Sequence, residues 1–216
     1  KSDQNGILTK MRYVMKRIVW LLPLMFIIAC GGAVVHKINF ASDYSPDKIK
    51  RLAIVNFDVP RGAPIQKDLV VDKFTTVLVG SRFKLVDRAD IKKIMAEANY
   101  QNLANGIIDD NTRQKLRHLG ADTVMTGTLH TYTERKDAQD LTLYGEVYLT
   151  AKMLKVDTSE VLWSAEILKK SKAKNVGQKK FIGGESEAES AGKLLDEIVT
   201  EMADSFKEKK KLLKYF

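Results

Sequence analysis

Residues 141–153, Leu-Thr-Leu-Tyr-Gly-Glu-Val-Tyr-Leu-Thr-Ala-Lys-Met, alternate in character almost without a break. Leu141, Leu143, Val147, Leu149, Ala151 and Met153 fall on one side of an extended chain; Thr142, Tyr144, Glu146, Tyr148, Thr150 and Lys152 fall on the other. Successive strand side chains point to opposite faces, so this spacing predicts a long strand with one apolar face. Such a strand must bury that face against another layer, which makes the chain a sheet protein. Val161–Leu168 is the expected hairpin partner, joined across Asp157-Thr-Ser-Glu160.

The rest of the chain supplies the covering layers. Arg51–Phe57 is a nearly continuous apolar run, as expected of a strand covered on both faces. Asp58–Pro64 turns the chain, and Pro64 is placed to open a helix. That helix carries Leu69, Val70, Phe74, Val77 and Leu78 on one stripe and ends at Gly80. Phe83–Asp87 predicts a short strand, and Asp87 caps a helix that buries Ile91, Ile94, Met95 and Ala98. Asp110 is the expected cap of a third helix, stopped by Gly120, after which Asp122–Tyr132 is rich in strand formers. Leu194, Leu195, Ile198, Val199, Met202 and Phe206 mark a long amphipathic helix. The order β-α-β-α-α-β-β-β-α predicts an α/β fold: a mixed sheet sandwiched by helices, parallel early and antiparallel late.

Charge narrows the function. The 216 residues hold 36 Lys and Arg against 27 Asp and Glu, a formal charge of +9. Residues 1–29 contribute +4 and residues 207–216 another +4, so residues 30–206 carry only +1. A nucleic-acid domain carries its cations on the fold, one for each phosphate contact, and this one does not. Nucleic acid is therefore excluded as a partner.

The N-terminus reads as an address. Lys16-Arg17 precedes an apolar run of 11 residues, Ile18–Ile28, and then Ala29-Cys30-Gly31. A basic start, a short apolar core and a small-residue boundary make a secretory signal. The run is well short of the about 20 residues a membrane-spanning helix needs. Ile27-Ile28-Ala29-Cys30 resembles the lipobox of bacterial lipoproteins, which implies cleavage before Cys30 and lipid attachment to its thiol. Residues 1–10 lie ahead of the expected start at Met11 or Met15. The expected organisation is a signal peptide over 1–29, lipidated Cys30 and a polar tether over 30–50, a domain over 51–206 and a basic tail over 207–216.

Catalytic chemistry finds little footing. The chain has no phosphate-binding glycine loop, and His36, His118 and His130 have no partner at metal-ligand spacing. Ser164 and Ser186 lack a nucleophile-elbow context. The expectation is a non-enzymatic protein without a cofactor or a metal. Two basic segments are candidate membrane or partner contacts. One comprises Lys169, Lys170, Lys172, Lys174, Lys179 and Lys180; the other, Lys209, Lys210, Lys211, Leu212, Leu213 and Phe216.

Arg51–Asp58, Arg82–Arg88 with the helix to Glu97, Gly120–Gly127 running on to Tyr132, and Val156–Ser164 together resemble the CsgG family. That fold is also similar to the N-terminal domain of TolB. The resemblance implies a lipoprotein on the periplasmic side of the bacterial outer membrane, acting as an assembly or scaffold component of curli-like export. It allows a homo-oligomer and contacts with other envelope proteins. Residues 169–185 hold six lysines and are too short for a pair of spanning strands, so the expected protein lacks a complete pore of its own. The alternative reading is a lipoprotein regulator of a peptidoglycan synthase.

Overall fold

The apolar run at 51–58 forms an inner strand of the sheet, which grows from it in two directions. The structure, a computed structural model, describes residues 35–66, 68–97, 108–173 and 187–207. The strands are β1 (His36–Phe40), β2 (Arg51–Asp58), β3 (Lys84–Leu85), β4 (Thr123–Lys136), β5 (Thr142–Lys155) and β6 (Val161–Lys172). The helices are α1 (Leu69–Leu78), α2 (Arg88–Glu97), α3 (Asp110–His118) and α4 (Ala191–Lys207). The six strands form one sheet in the order β1-β6-β5-β4-β2-β3. β2 pairs parallel with β3 and β4, whereas β4, β5, β6 and β1 pair antiparallel. The predicted mixed α/β architecture is therefore the observed one.

Two cores lie on opposite sides of this sheet. On the first side, α1 and α4 cover Leu52, Ile54 and Phe57 of β2, Val147, Leu149, Ala151 and Met153 of β5, and Trp163, Ala165 and Ile167 of β6. The stripe anticipated on α4, from Leu194 to Phe206, is buried throughout. On the second side, Ile91 and Ile94 of α2 and Leu116 of α3 pack on Ala53 and Val55 of β2, Val124 of β4 and Leu154 of β5. That second layer reaches only the parallel edge of the sheet. β2 is thus covered on both faces, as its continuous apolar run requires, while β4 and β5 are covered on both only at their ends beside it, at Val124 and Leu154.

Local chemistry accounts for the boundaries. Gly80 and Gly120 follow α1 and α3 with φ of +78° and +74°, a left-handed conformation that ends a helix without a Cβ penalty. Asp87 accepts from the Ala89 N–H at 2.7 Å at the start of α2. The cap of α3 is Asp109 rather than Asp110: its Oδ1 accepts from the Thr112 N–H at 2.9 Å, while Asp110 pairs with Arg113. α1 begins at Leu69, five residues past Pro64, so Pro64 belongs to the turn and does not open the helix.

Three stretches differ from expectation. His36–Phe40, read as tether, is the edge strand β1, because Ile38 and Phe40 find the core beside β6. Leu141 is 38% exposed and Thr142 is buried, since the sheet slips register at Arg135/Lys136, opposite Leu143, within the alternating segment. β6 runs on to Lys172, so Lys169, Lys170 and Lys172 belong to a strand. The side chain of Met95 and residue Ala98 lie outside the described residues.

Candidate functional site: the open face of the sheet

Because α2 and α3 stop near the parallel edge, reaching β5 only at Leu154, the second face of β1, β6, the rest of β5 and the outer half of β4 carries no packed element among the described residues. Register fixes which side chains share that face. One rung carries Asn39, Ser164 and Lys152; the next carries Lys37, Glu166, Thr150 and Thr128. Further along, Leu168 stands beside Tyr148, Lys170 beside Glu146, and Lys172 beside Tyr144. These are the polar positions of the alternating segment, so the face is written in the period-two pattern itself.

Two networks order it. In the first, the Arg135 guanidinium lies 4.8 Å from the centroid of the Tyr144 ring. The Tyr144 hydroxyl donates to Glu146, which pairs with Lys170 at 3.2 Å. In the second, the His130 ring stacks on Tyr148 at 4.6 Å between centroids, and its Nε2 lies 3.0 Å from Thr150 Oγ1. The Tyr148 hydroxyl donates to Glu166, which also meets Lys37 at 3.7 Å. His130 is the extra residue of a register shift in β4, which turns its ring onto the face.

These contacts fix protonation. The hydrogen bond to Glu146 pushes the Tyr144 phenol up, and the same bond, with Lys170, holds Glu146 below the usual carboxylate range. Tyr148 is raised by its bond to Glu166, and Glu166 is lowered by that bond first and then by Lys37. Both acids stay charged and both phenols stay neutral donors across the neutral range.

A groove of about 300 Å³ crosses the face at the second network and the rung beyond it, away from the first network, lined by Asn39, Thr128, Thr150, Lys152, Ser164 and Glu166. Burial lowers the pKa of the Lys152 amine. The alternation identified Lys152 and Thr150 as outward-facing, but not Asn39 or Ser164. Only the pairing of β6 with both β5 and β1 brings those two to the same rung.

The basic residues singled out from sequence divide. Lys169 points to the helical side and meets Glu197 at 3.1 Å and Glu201 at 3.3 Å, both on α4. Lys170 and Lys172 lie on the open face. Cys30, Lys174, Lys179, Lys180, Lys209, Lys210, Lys211, Leu212, Leu213 and Phe216 lie outside the described residues. Among the histidines, His36 meets Glu201 at 2.7 Å, and His118 ends α3. Among the described residues, no three His, Cys, Asp or Glu side chains are placed to hold a metal ion. No described helix is long and apolar enough to cross a membrane.

Comparison with known proteins places this geometry. The family model of the peptidoglycan-synthase activator LpoB matches residues 62–167, from the turn after β2 into β6. No curated protein matches the chain. Two crystal forms of the PelC dodecamer from Paraburkholderia phytofirmans share the fold. One has a TM-score of 0.52 at 9% identity, covering 82% of this chain and 100% of that one. The other, an L103M variant, has a TM-score of 0.51 at 10% identity, covering 81% and 100%. The lipoprotein GNA1162 from Neisseria meningitidis aligns over 72% of this chain and 99% of its own, at 13% identity and a TM-score of 0.46.

The match to the LpoB model overturns the CsgG resemblance, and with it the curli-export, secretion and scaffold reading. The segments behind that resemblance are a buried parallel strand, a strand-and-helix joint, a glycine-stopped helix leading into β4, and the β5–β6 hairpin. Packing dictates such pieces in any sheet of this topology, so their order carried fold information and not family information.

Proposed function

We propose that this protein is a non-catalytic lipoprotein regulator of a peptidoglycan synthase, held on the periplasmic face of the outer membrane by lipid on Cys30. The observation that carries the reading is the LpoB match over residues 62–167, which spans α1 to β6 and so includes most of the open face. That face is the part of the domain with side chains to spare for a partner. It is polar and aromatic, ordered by its own networks, and backed by a packed core that holds it rigid. Its acids and phenols sit in fixed protonation states, which suits contact with a protein better than acid–base work.

The test is reconstitution. The chain is added to a peptidoglycan synthase of the same organism, and glycan polymerisation and peptide crosslinking are followed against chain concentration. A saturable rise in either rate is expected. Rates that stay flat across a concentration range in which the chain is folded would overturn the reading.

A further inference from the structure

The rung that joins β1, β6 and β5 holds three side chains in a row: Asn39, Ser164 and Lys152. All three line the groove. Lys152 is half-buried, and burial alone accounts for the lowering of its pKa; no carboxylate or other acceptor engages the amine among the described residues. The groove's one carboxylate, Glu166, is already committed to the Tyr148 hydroxyl and to Lys37. The neighbouring hydroxyl of Thr150 is spoken for as well, donating to the Thr128 carbonyl at 3.3 Å and lying 3.0 Å from His130 Nε2. One cation and three neutral hydrogen-bonding groups, the Ser164 and Thr128 hydroxyls and the Asn39 amide, therefore face the groove, and of these Ser164 and Asn39 share the Lys152 rung.

We propose that this rung is a recognition site for a single carboxylate side chain, an Asp or Glu of a partner protein, with Lys152 supplying the counter-charge and Ser164 and Asn39 donating hydrogen bonds. Charge complementarity selects the occupant. A half-buried ammonium without a counter-ion is unfavourable, and a carboxylate placed against it restores the balance with a charge-assisted bond. The surplus is one positive charge beside the Glu166 carboxylate, so a monoanion fits and a doubly charged phosphate would repel. The volume, about 300 Å³, is at the lower end for a ligand site and suits one side chain rather than a cofactor. The partner assignment rests on reading this face as the synthase-binding surface; carboxylate binding by the rung does not.

The experiment has two arms on the full chain. In the first, N-acetylglutamic acid amide is titrated in while the Asn39, Lys152 and Ser164 signals are followed by NMR, with N-acetylglutamine amide and inorganic phosphate as controls. Saturable shifts with the glutamate compound, absent with the glutamine compound and absent in Lys152→Gln, are expected. No saturable shift, an equal shift in Lys152→Gln, or tighter saturation by phosphate would overturn the carboxylate site. In the second, Lys152→Gln should weaken binding to the synthase by about tenfold or more, with thermal unfolding no worse than wild type. Undiminished binding by that variant would overturn the partner assignment. A wild-type chain that fails to bind the synthase at all would instead sink the functional reading, leaving the first arm to decide the rung.

Discussion

The indole N–H of Trp163 donates to Ser205 Oγ at 3.0 Å, and Ser205 donates its own proton to the Met202 carbonyl at 2.7 Å. The relay is fully buried and ties β6 to α4. Phe206 closes it from the side, edge-on to the indole at 4.9 Å. Removing the acceptor strands a buried donor, which costs more than the bond contributes when both partners are present. Ser205→Ala should therefore lose about 1–3 kcal/mol in urea unfolding. Trp163→Phe in that background should cost less than the two changes summed, because it removes the stranded donor. Strictly additive effects would show that the two groups do not depend on each other.

How much of this was legible in the sequence depends on the range of the interaction. The stripe on α4 and the alternation on β5 are local periodicities, and both mark the buried residues correctly apart from Leu141, Thr142 and the half-buried Leu143. These depart because the register slip opposite Arg135/Lys136, which leaves Leu143 unpaired, is a relation between strands. His36–Phe40 reads as a tether from sequence because a five-residue strand with two apolar positions has no signal until β6 is present to pair with it. The capping pattern points to Asp110 and the cap is Asp109, since two adjacent aspartates satisfy the same pattern. The rung of Asn39, Ser164 and Lys152 comes from three separated segments, and no spacing rule within one segment reports it.

Gly127 lies where β2, β4 and β5 crowd together. A Cβ there would overlap the Thr150 carbonyl oxygen and sit 2.5 Å from Cε1 of the Phe57 ring. Thr150 is held in the β5 ladder and Phe57 is stacked on Phe74 at 5.4 Å, so neither withdraws freely. Gly127→Ala should cost at least about 1–3 kcal/mol by overpacking. The same change at Gly62, where nothing lies within 4 Å, should meet no steric conflict and show only the strain of its φ of +81°. Thermal unfolding of the pair separates the two causes. Equal losses would mean that crowding at Gly127 is relieved by movement.

Cys30 is the chain's one thiol. Cells grown with a labelled fatty-acid precursor should yield labelled wild-type protein and unlabelled Cys30→Ala, with the variant recovered in the aqueous fraction. Equal labelling of both would remove the anchor from the proposal, and the open face would be judged without it.

The Asp109 cap gives a prediction with a sign. Its carboxylate accepts from the Thr112 N–H at 2.9 Å and from the Thr112 hydroxyl at 2.8 Å. Those bonds, the backbone one foremost, hold its pKa below the ordinary value of 3.8. A carboxyl that binds its proton more weakly in the folded chain adds stability above its unfolded pKa and loses it as the pH falls through the folded one. Asp109→Asn keeps a capping oxygen but no charge, whereas Asp109→Ala keeps neither. At pH 7 the alanine variant should be less stable than wild type by about 0.5–2 kcal/mol, with asparagine between them. Lowering the pH from about 5 toward 2 should shrink the gap between wild type and both variants, because only wild type has a charge there to lose. The measurement is the urea midpoint of each protein at several pH values across that window. A gap that stays constant to pH 2 would show that the Asp109 carboxylate adds no charge-dependent stability to α3.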